Sequence, residues 1–324
     1  MSAYVEGHRD RFGVQAICKV IEVSTAAYYN RKTDKLSERS IEDKRLLGRI
    51  KTLHAANYHA YGYRRMWKAL LRAGEVVGRG RVQRLMRANG IEGAKRRGKP
   101  WRTTTPDHRA KRSPDLVQRD FTADVPNQLW VADFTYLRCW EGPVFFSFVI
   151  DVFSRMVVGW QFASHMRTDL VLDALKMALG QRGRVEGVTL IHHSDRGSQY
   201  TSGDYIQTLD DNDVLASVGS VGDAYDNAMA ESFVDSFKTE LIADRIWRTR
   251  DQMELEIVEY VGWFNHARLH TSLGDVPPSE FEQSWFRGAG GETAADTSPR
   301  SPYGLTHRGV GTLDRLKRAA QESN

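Results

Sequence analysis

Hydrophobic side chains near the N terminus recur at intervals of three or four residues, which is the spacing of amphipathic helices. Val14, Ile17 and Val20 form the first such stripe, and Ser24 can cap a second short segment, so residues 12–30 are predicted to form a helix-turn-helix. Three longer helices are predicted to follow in this all-α region, the first opening with a capping box, over residues 40–54, 61–71 and 79–88.

Beyond residue 127 the pattern changes to short apolar, aromatic and β-branched runs that are divided by turn residues, as is typical of β-strands. The later runs alternate with helical segments, which predicts an α/β fold with a mixed five-stranded sheet and flanking helices. Strands are predicted over residues 129–137, 144–152, 156–163, 188–192 and 214–218. Helices are predicted over residues 168–179, 203–209, 231–242 and 252–265.

A net charge of +5 conceals two halves of opposite sign. Residues 1–120 contain 28 Lys and Arg against 12 Asp and Glu, whereas the rest of the chain contains 18 against 29. The basic half is suited to the phosphate backbone of DNA, and the acidic half would repel DNA unless divalent metal neutralised its carboxylates. Residues 92–120 lack an apolar period and are predicted to be a flexible basic linker, which either tracks DNA or serves only as a tether.

Composition also limits the compartment and the kinds of site. No apolar run long enough to span a membrane and no signal peptide is evident, so a cytoplasmic protein without membrane contact is expected, associated with the nucleoid when bound to DNA. Cys18 and Cys139 are far apart in sequence, which indicates neither a disulfide framework nor a cysteine zinc site. Residues 287–324 are rich in Gly, Ser and Thr and are predicted to be a disordered tail.

Three acidic residues occur where a sheet can bring them together. Asp133 interrupts an apolar strand, where a buried carboxylate is costly without a cation, and Asp195 directly follows another strand. Glu231 lies near the start of a predicted helix. Two strand carboxylates and one helix carboxylate can converge on a pair of hard divalent cations, which prefer oxygen ligands and promote in-line displacement at phosphorus.

The segments around these acids resemble a known family. Residues 130–136 (WVADFTY), 193–200 (HSDRGSQY) and 226–233 (DNAMAESF), with Lys238 seven residues after the glutamate, resemble the DDE signature of bacterial insertion-sequence transposases, which are related to retroviral integrases. A fourth block, WFNHARLH over residues 263–270, resembles the C-terminal motif of that group. The similarity covers roughly residues 12–283 and points to the catalytic protein encoded by the second of two overlapping frames.

This resemblance implies an RNase H-like catalytic core that cleaves DNA at element ends and transfers the strand into target DNA. It implies Asp133, Asp195 and Glu231 as catalytic metal ligands, with two Mg²⁺ ions, for which Mn²⁺ can substitute. The implied partners are double-stranded DNA and the first-frame protein of the same element, either separate or joined to this chain by a frameshift. A homo-oligomer on DNA is expected as well.

Basic residues supply the candidate DNA contacts. Lys238 follows Glu231 by seven residues, which places it on the same face of the predicted helix and makes it a candidate phosphate contact. Arg268 and His270 either contact DNA or order the site. The other candidates belong to the last N-terminal helix and to the linker: Arg79, Arg81, Arg84, Arg87, Lys95, Arg96 and Arg97.

Three further residues are weaker candidates for the site. Asp151, in a neighbouring strand, either approaches the three acids or accepts hydrogen bonds from backbone donors in a turn. His192 and His193 are adjacent in a strand and therefore point to opposite faces, which argues against joint metal ligation.

The chain is accordingly divided into a helical DNA-binding region, a basic linker, a catalytic domain with C-terminal helices and a tail, over residues 1–91, 92–120, 121–286 and 287–324. Two other functions are open at this point: a non-catalytic DNA-binding regulator that retains the fold, and an RNase H-like nuclease without strand transfer. Three intact carboxylates argue against the regulator, and the long basic region argues against the simple nuclease.

Overall fold

The computed structural model describes residues 2–32, 37–95, 115–117, 120–183, 185, 187–195, 197–219, 228–243 and 245–289. The chain divides into two compact units between Gly93 and Ala94, and each unit is described by itself. Within the described ranges no helix combines the length and the apolar character that crossing a membrane requires.

The described part of the N-terminal unit is entirely helical. Its helices are α1 (Ser2–Phe12), α2 (Val14–Val20), α3 (Thr25–Lys32), α4 (Glu38–Ala56), α5 (Tyr63–Arg72) and α6 (Arg79–Ala88). Helices α1 to α3 share a small core of Val5, Ile17, Cys18 and Tyr28. The sequence analysis did not predict α1, because Val5 is the only residue of that helix that is described as buried, and one apolar position produces no period.

Helices α4, α5 and α6 contact one another, and the residues that they bury include Leu46, Met66 and Val82. The predicted capping box at residue 40 is wrong. The Ser37 side chain accepts a hydrogen bond from the backbone N–H of Ser40 (3.2 Å), so α4 begins earlier, at Glu38.

The second unit contains a mixed five-stranded sheet, as the sequence predicted. Its strands are β1 (Leu129–Cys139), β2 (Gly142–Asp151), β3 (Val157–Ala163), β4 (Ile191–Ser194) and β5 (Leu215–Val218). In the sheet order β3-β2-β1-β4-β5, the first three strands are antiparallel neighbours, whereas β1, β4 and β5 run parallel. The helices of this unit are α7 (Thr168–Gln181), α8 (Gly203–Asp211), α9 (Ala228–Phe237), α10 (Arg250–His266) and α11 (Pro278–Ala289).

One face of the sheet packs against α7 and α8. Side chains of β1 alternate between the two faces, and Trp130 and Ala132 both point to the α7 side, where they join the largely aliphatic core. The buried members of this core on α7 and α8 are Val171, Ala174, Leu175, Ala178, Tyr205 and Leu209.

The opposite face packs against α9 and α10 through aromatic rings. Phe148 of β2 lies 4.6 Å from Phe233 between ring centroids, and Phe146 lies 5.0 Å from Phe237. Asp133 is the residue paired with Phe148 across β1 and β2. Because directly paired residues project to the same face, the carboxylate of Asp133 lies on the α9 side of the sheet.

Two elements near the C terminus differ from the prediction. The helix predicted over residues 231–242 remains α-helical only to Phe237 and then widens into a five-residue π-helix, called here the π-turn (Lys238–Ile242). Helix α11 was not predicted, because it begins at the second residue of a proline pair. Proline is nevertheless tolerated at the first helical position. The ring of Phe281 lies 5.1 Å from that of Phe153 between centroids, and this contact fixes α11 against the segment that follows β2.

Close packing of α7 on β3 requires a glycine at position 159. A Cβ there would clash with the carbonyl oxygen of Ala174 and lie 2.8 Å from the Cβ of Ala178. We expect Gly159→Ala to lower the free energy of unfolding by about 1–3 kcal/mol, measured by urea denaturation. Gly180→Ala is the matched control, because nothing lies within 4 Å of its added Cβ. Equal destabilisation by the two substitutions would contradict this account.

Candidate active site

Asp133 lies in β1, and Asp195 directly follows β4, the parallel neighbour of β1. In the register of β1 and β4, Leu129 pairs with Ile191 and Val131 with His193, and the same register continued by two residues sets Asp133 beside Asp195. Residues at equal register in parallel strands project to the same face. Each carboxylate is oriented by a nearby backbone N–H: that of Phe134 donates to Asp133 Oδ1 (2.8 Å), and that of Gly197 donates to Asp195 Oδ1 (3.0 Å).

The electrostatics of Asp133 report which groups surround it. Burial, followed by the charge of Asp195, raises the pKa of Asp133 to about 8. The N–H of Phe134 lowers that pKa, Glu231 raises it and Lys238 lowers it, in decreasing order of effect. Asp195, Glu231 and Lys238 therefore all lie within electrostatic range of Asp133, and the excess of negative charge around it favours a cation.

Glu231 and Lys238 approach this region from α9 and the π-turn. Glu231 occupies the first turn of α9 and is exposed, and partial burial together with the charge of Asp235 raises its pKa. Lys238 is half-buried, and burial lowers its pKa while Asp133 and Asp235 oppose that effect. Among the described residues, no three His, Cys, Asp or Glu side chains lie close enough to hold a metal ion together.

The chemistry of the donors fits a hard divalent cation, because carboxylate oxygens are the available ligands. The adjacent histidines are directed elsewhere, and the prediction that they face opposite ways is confirmed. His192 Nε2 lies 3.1 Å from the Tyr205 hydroxyl on the α8 side, whereas His193 Nδ1 lies 2.8 Å from Ser217 Oγ. Burial lowers the pKa of His192 to about 3, so its ring is neutral at physiological pH.

Asp151 fulfils the structural alternative given for it. Its buried carboxylate accepts hydrogen bonds from the backbone N–H groups of Asn127 (2.7 Å) and Ser154 (3.1 Å). Arg182 Nη2 lies 3.4 Å from the same carboxylate and also pairs with Glu282. Asp151 therefore closes a turn and does not belong to the acidic cluster, the name used here for Asp133, Asp195 and Glu231.

The structure corrects the prediction that Arg268 contacts DNA. Arg268 is only 4% exposed, and its guanidinium forms a two-point ion pair with Glu240 (Nη2 to Oε1, 2.6 Å; Nε to Oε2, 2.9 Å). A side chain enclosed in this way has no surface to offer a phosphate. The alternative, that Arg268 orders the surrounding structure, is the one that its contacts support.

The arginines predicted on α6 fall into two groups. Arg81 and Arg84 both pair with Asp43 of α4 at 2.7 Å, so they contribute to the helical packing. Arg79 and Arg87 are exposed. In the linker, Lys95 is exposed, while Arg96 and Arg97 lie outside the described residues.

Comparison with known proteins gives a consistent assignment. The Integrase core domain family matches residues 123–224, with a second model of that description at residues 212–278, and the HTH-like domain family matches residues 41–99. The chain is 42% identical to the transposase for insertion sequence element IS629 of Shigella sonnei, over 89% of this chain and 97% of that protein. The chain belongs to the insertion-sequence transposases.

Other relatives agree. The putative transposase for IS986/IS6110 of Mycobacterium tuberculosis is 44% identical over 82% of this chain and 96% of its own length. The transposase InsF for IS3A of Escherichia coli K12 is 32% identical over 86% of this chain and 97% of its own length. The HTLV-2 integrase catalytic core in complex with magnesium aligns at 12% identity over 50% of this chain and 99% of that chain, with a TM-score of 0.38, which is too low to define the fold.

Membership of this family makes the chain a DNA transposase, a DNA-binding polynucleotidyl transferase of the DDE type that uses divalent metal. The HTH-like match falls on residues 41–99, which contain most of α4 together with α5 and α6. The helix-turn-helix that the sequence analysis predicted over residues 12–30 lies outside that match. The larger apolar faces of the later helices could have indicated this, whereas α2 and α3 are too short to decide it.

The sequence analysis missed two residues that bear on the site. Glu240 lies in the π-turn, and its side chain is only 6% exposed because it pairs with Arg268. Tyr200 is buried with its ring 6.3 Å from Phe134, and burial followed by the charge of Asp133 raises its pKa well above the usual value. Its only sequence signal was its place in the HSDRGSQY block.

Burial of the carboxylate, together with the neighbouring negative charge, predicts that Asp133→Asn stabilises the metal-free protein. The pKa of this carboxyl is about 8 in the folded protein against its ordinary value of 3.8, so the folded protein loses stability as the pH rises from about 4 to about 8. The amide of asparagine does not ionise and removes that loss. We expect a gain of about 1–2 kcal/mol at pH 8 in chelator, shrinking towards pH 4, in thermal unfolding. Asp151→Asn should have the opposite sign, because it leaves a buried N–H donor without its acceptor. Destabilisation by Asp133→Asn at pH 8 would refute this explanation.

Proposed function

We propose that this transposase hydrolyses a phosphodiester at an element end and directs the freed 3′-hydroxyl at a phosphodiester of target DNA, with Asp133, Asp195 and Glu231 as its metal ligands. The observation that carries the proposal is the parallel pairing of β1 with β4, which brings Asp133 of β1 near Asp195, the residue directly after β4, so that the charge of Asp195 acts on Asp133. The electrostatic effect of Glu231 on Asp133 supports its inclusion as the third ligand.

The ions that we propose are two Mg²⁺, with Mn²⁺ as a functional substitute. Two such ions, when bound, activate the attacking oxygen and stabilise the leaving oxygen. Because no three of the described acids are close enough to share an ion, joint coordination requires Glu231 to approach the two aspartates. Asp133 must also release its proton, since only the carboxylate form is an effective ligand.

The side chains around the aspartates have distinct roles in this proposal. Lys238, half-buried and within range of Asp133, contacts a phosphate oxygen next to the scissile bond. Tyr200 packs against Phe134, the residue of β1 next to Asp133, and helps to hold that strand in place. The backbone N–H of Gly197 fixes the orientation of Asp195, and a Cβ at Gly197 would approach that carboxylate to 3.0 Å.

For DNA binding we propose the N-terminal region of residues 1–91, joined by a linker over residues 92–120 to a catalytic domain over residues 121–286. The exposed Arg79 and Arg87 of α6, with Lys95, are its phosphate contacts. Further partners in the proposal are the first-frame protein, a second copy of this chain on DNA, and the chromosomal DNA of the nucleoid. A second copy of the chain is included because the two ends of the element must be brought together at one target site.

Replacement of each proposed ligand tests the chemistry. Asp133→Asn, Asp195→Asn and Glu231→Gln should each lower strand cleavage by on the order of a thousandfold, because each removes a ligand. The assay uses oligonucleotides carrying the element ends with Mg²⁺ or Mn²⁺, and gels that resolve cleavage from strand transfer. Asp204→Asn, an exposed acid in the first turn of α8, is the matched control. Cleavage by Glu231→Gln at the wild-type rate would remove Glu231 from the site, and cleavage without transfer would favour a simple nuclease.

Salt dependence tests the proposed phosphate contacts on α6. Arg87→Ala should reduce the slope of log Kd against log salt by about 1, with little change in Tm, because this side chain is exposed. Arg81→Ala should leave the slope unchanged and lower the free energy of unfolding by up to about 1 kcal/mol, because it breaks the pair with Asp43. Fluorescence anisotropy with a labelled element end measures the slopes. An unchanged slope for Arg87→Ala would contradict the assignment.

A further inference from the structure

Glu240 holds the π-turn that follows α9. Its carboxylate accepts two hydrogen bonds from Arg268, from Nη2 (2.6 Å) and Nε (2.9 Å), and a third from the hydroxyl of Tyr260 (2.8 Å). The side chains of Arg268 and Glu240 are only 5% and 6% exposed. Removing two charges from water is expensive, and it is tolerated where geometry of this quality satisfies both partners.

Arg268 is itself fixed on its other sides. Its guanidinium carbon lies 5.2 Å from the ring centroid of Phe264 and 5.9 Å from that of Trp263. His270 lies 3.3 Å from Nη1 of Arg268, and its ring meets Phe264 edge-on at 4.7 Å. The backbone N–H of Arg268 donates to the carbonyl of Trp263 (2.8 Å), so the end of α10 forms a rigid mount for the guanidinium.

The π-turn connects this mount with the acidic cluster. Lys238 opens the turn, and its carbonyl accepts a hydrogen bond from the N–H of Ala243 (2.7 Å), which is the wide i to i+5 spacing. Such turns are rare and are often found at functional sites. Only Thr239 separates Glu240, which pairs with Arg268, from Lys238, whose charge interacts with Asp133. Just before the turn, Phe237 stacks on Phe146 of the sheet at 5.0 Å.

We propose that Glu240 and Arg268 form a positioning lock that holds the π-turn so that Lys238 faces Asp133. This inference rests on the proposed function, because Lys238 acts there on the scissile phosphate. It assigns a role to the WFNHARLH block, in which Arg268 is buried. A lock of this kind is not a catalytic group, since neither partner touches the reacting atoms.

If the pair only stabilised the fold, its loss of kcat would be independent of Lys238 and would multiply with the loss caused by Lys238→Met. A double-mutant cycle distinguishes this case from the lock. The lock variant is Glu240→Gln with Arg268→Met, which removes both charges and so avoids leaving one buried and unpaired. In the full chain it should lower the kcat of end cleavage by about 10- to 100-fold, the scale of a misplaced group. The KM for the element end should change by less than about threefold. In a Lys238→Met background the same two substitutions should cause less than about threefold further loss.

The matched control is another buried ion pair of this unit, Arg182 with Glu282, whose side chains are 12% and 8% exposed. Arg182→Met with Glu282→Gln should reduce stability without the loss of kcat, because this pair joins the end of α7 to α11. Arg268→Lys provides a second test if the lock variant does not fold. It keeps the charge but not the two-point geometry, and a loss of about three- to tenfold is expected.

Three results would overturn the lock. The first is a wild-type kcat in the folded lock variant or, if that variant does not fold, in Arg268→Lys. The second is a kcat loss in the lock variant that multiplies with the loss caused by Lys238→Met, and the third is an equal fall of kcat in the Arg182 control. Failure of the proposed function would look different. In that case the wild-type chain itself would show no metal-dependent cleavage, or Asp133→Asn would remain active.

Discussion

The structure of the second unit depends on the placement of two carboxylates side by side against an aromatic core. Asp133 follows four buried residues of β1, and the negative charge of Asp195, which directly follows β4, acts on it. Neither burial nor a second negative charge is favourable for an ionised carboxylate, and the raised pKa of Asp133 records both effects. A fold keeps such an arrangement only if the surrounding packing is strong enough, and a divalent cation is the partner that relieves it.

That packing is supplied from both faces of the sheet. On the α7 side, the close approach at Gly159 brings the helix onto β3 with almost no intervening space. On the α9 side, Phe146 stacks on Phe237, and Phe148 packs at a tilt against Phe233. The aromatic contacts hold the helix that carries Glu231, while the strands hold the aspartates. The aspartates are therefore fixed by the sheet, and the glutamate is fixed only as well as α9 is.

Much of the fold could be predicted from sequence because it is encoded locally. The bounds of α6 and the five strands follow from the period of apolar residues, with β4 displaced by three residues at its start. The π-turn and α11 could not be predicted, because their stability comes from Arg268 and Phe153, which are distant in the chain. The site was predicted through family motifs. The errors in the predicted site concern basic residues such as Arg268, because the sequence shows that a residue is charged but not whether it is buried.

Charge in this protein therefore has to be counted by location. In the N-terminal unit, Asp43 engages Arg81 and Arg84, and Glu75 engages Arg45 and Arg49. These pairs reduce the positive charge that the helices can present to DNA below what composition suggests. In the second unit, the buried arginines at positions 182 and 268 neutralise glutamates, not phosphates. The acids around Asp133 keep their excess of negative charge, with Lys238 as a cation within range, so the same pairing that withdraws arginines from DNA leaves the strongest demand for a metal ion where cleavage is proposed.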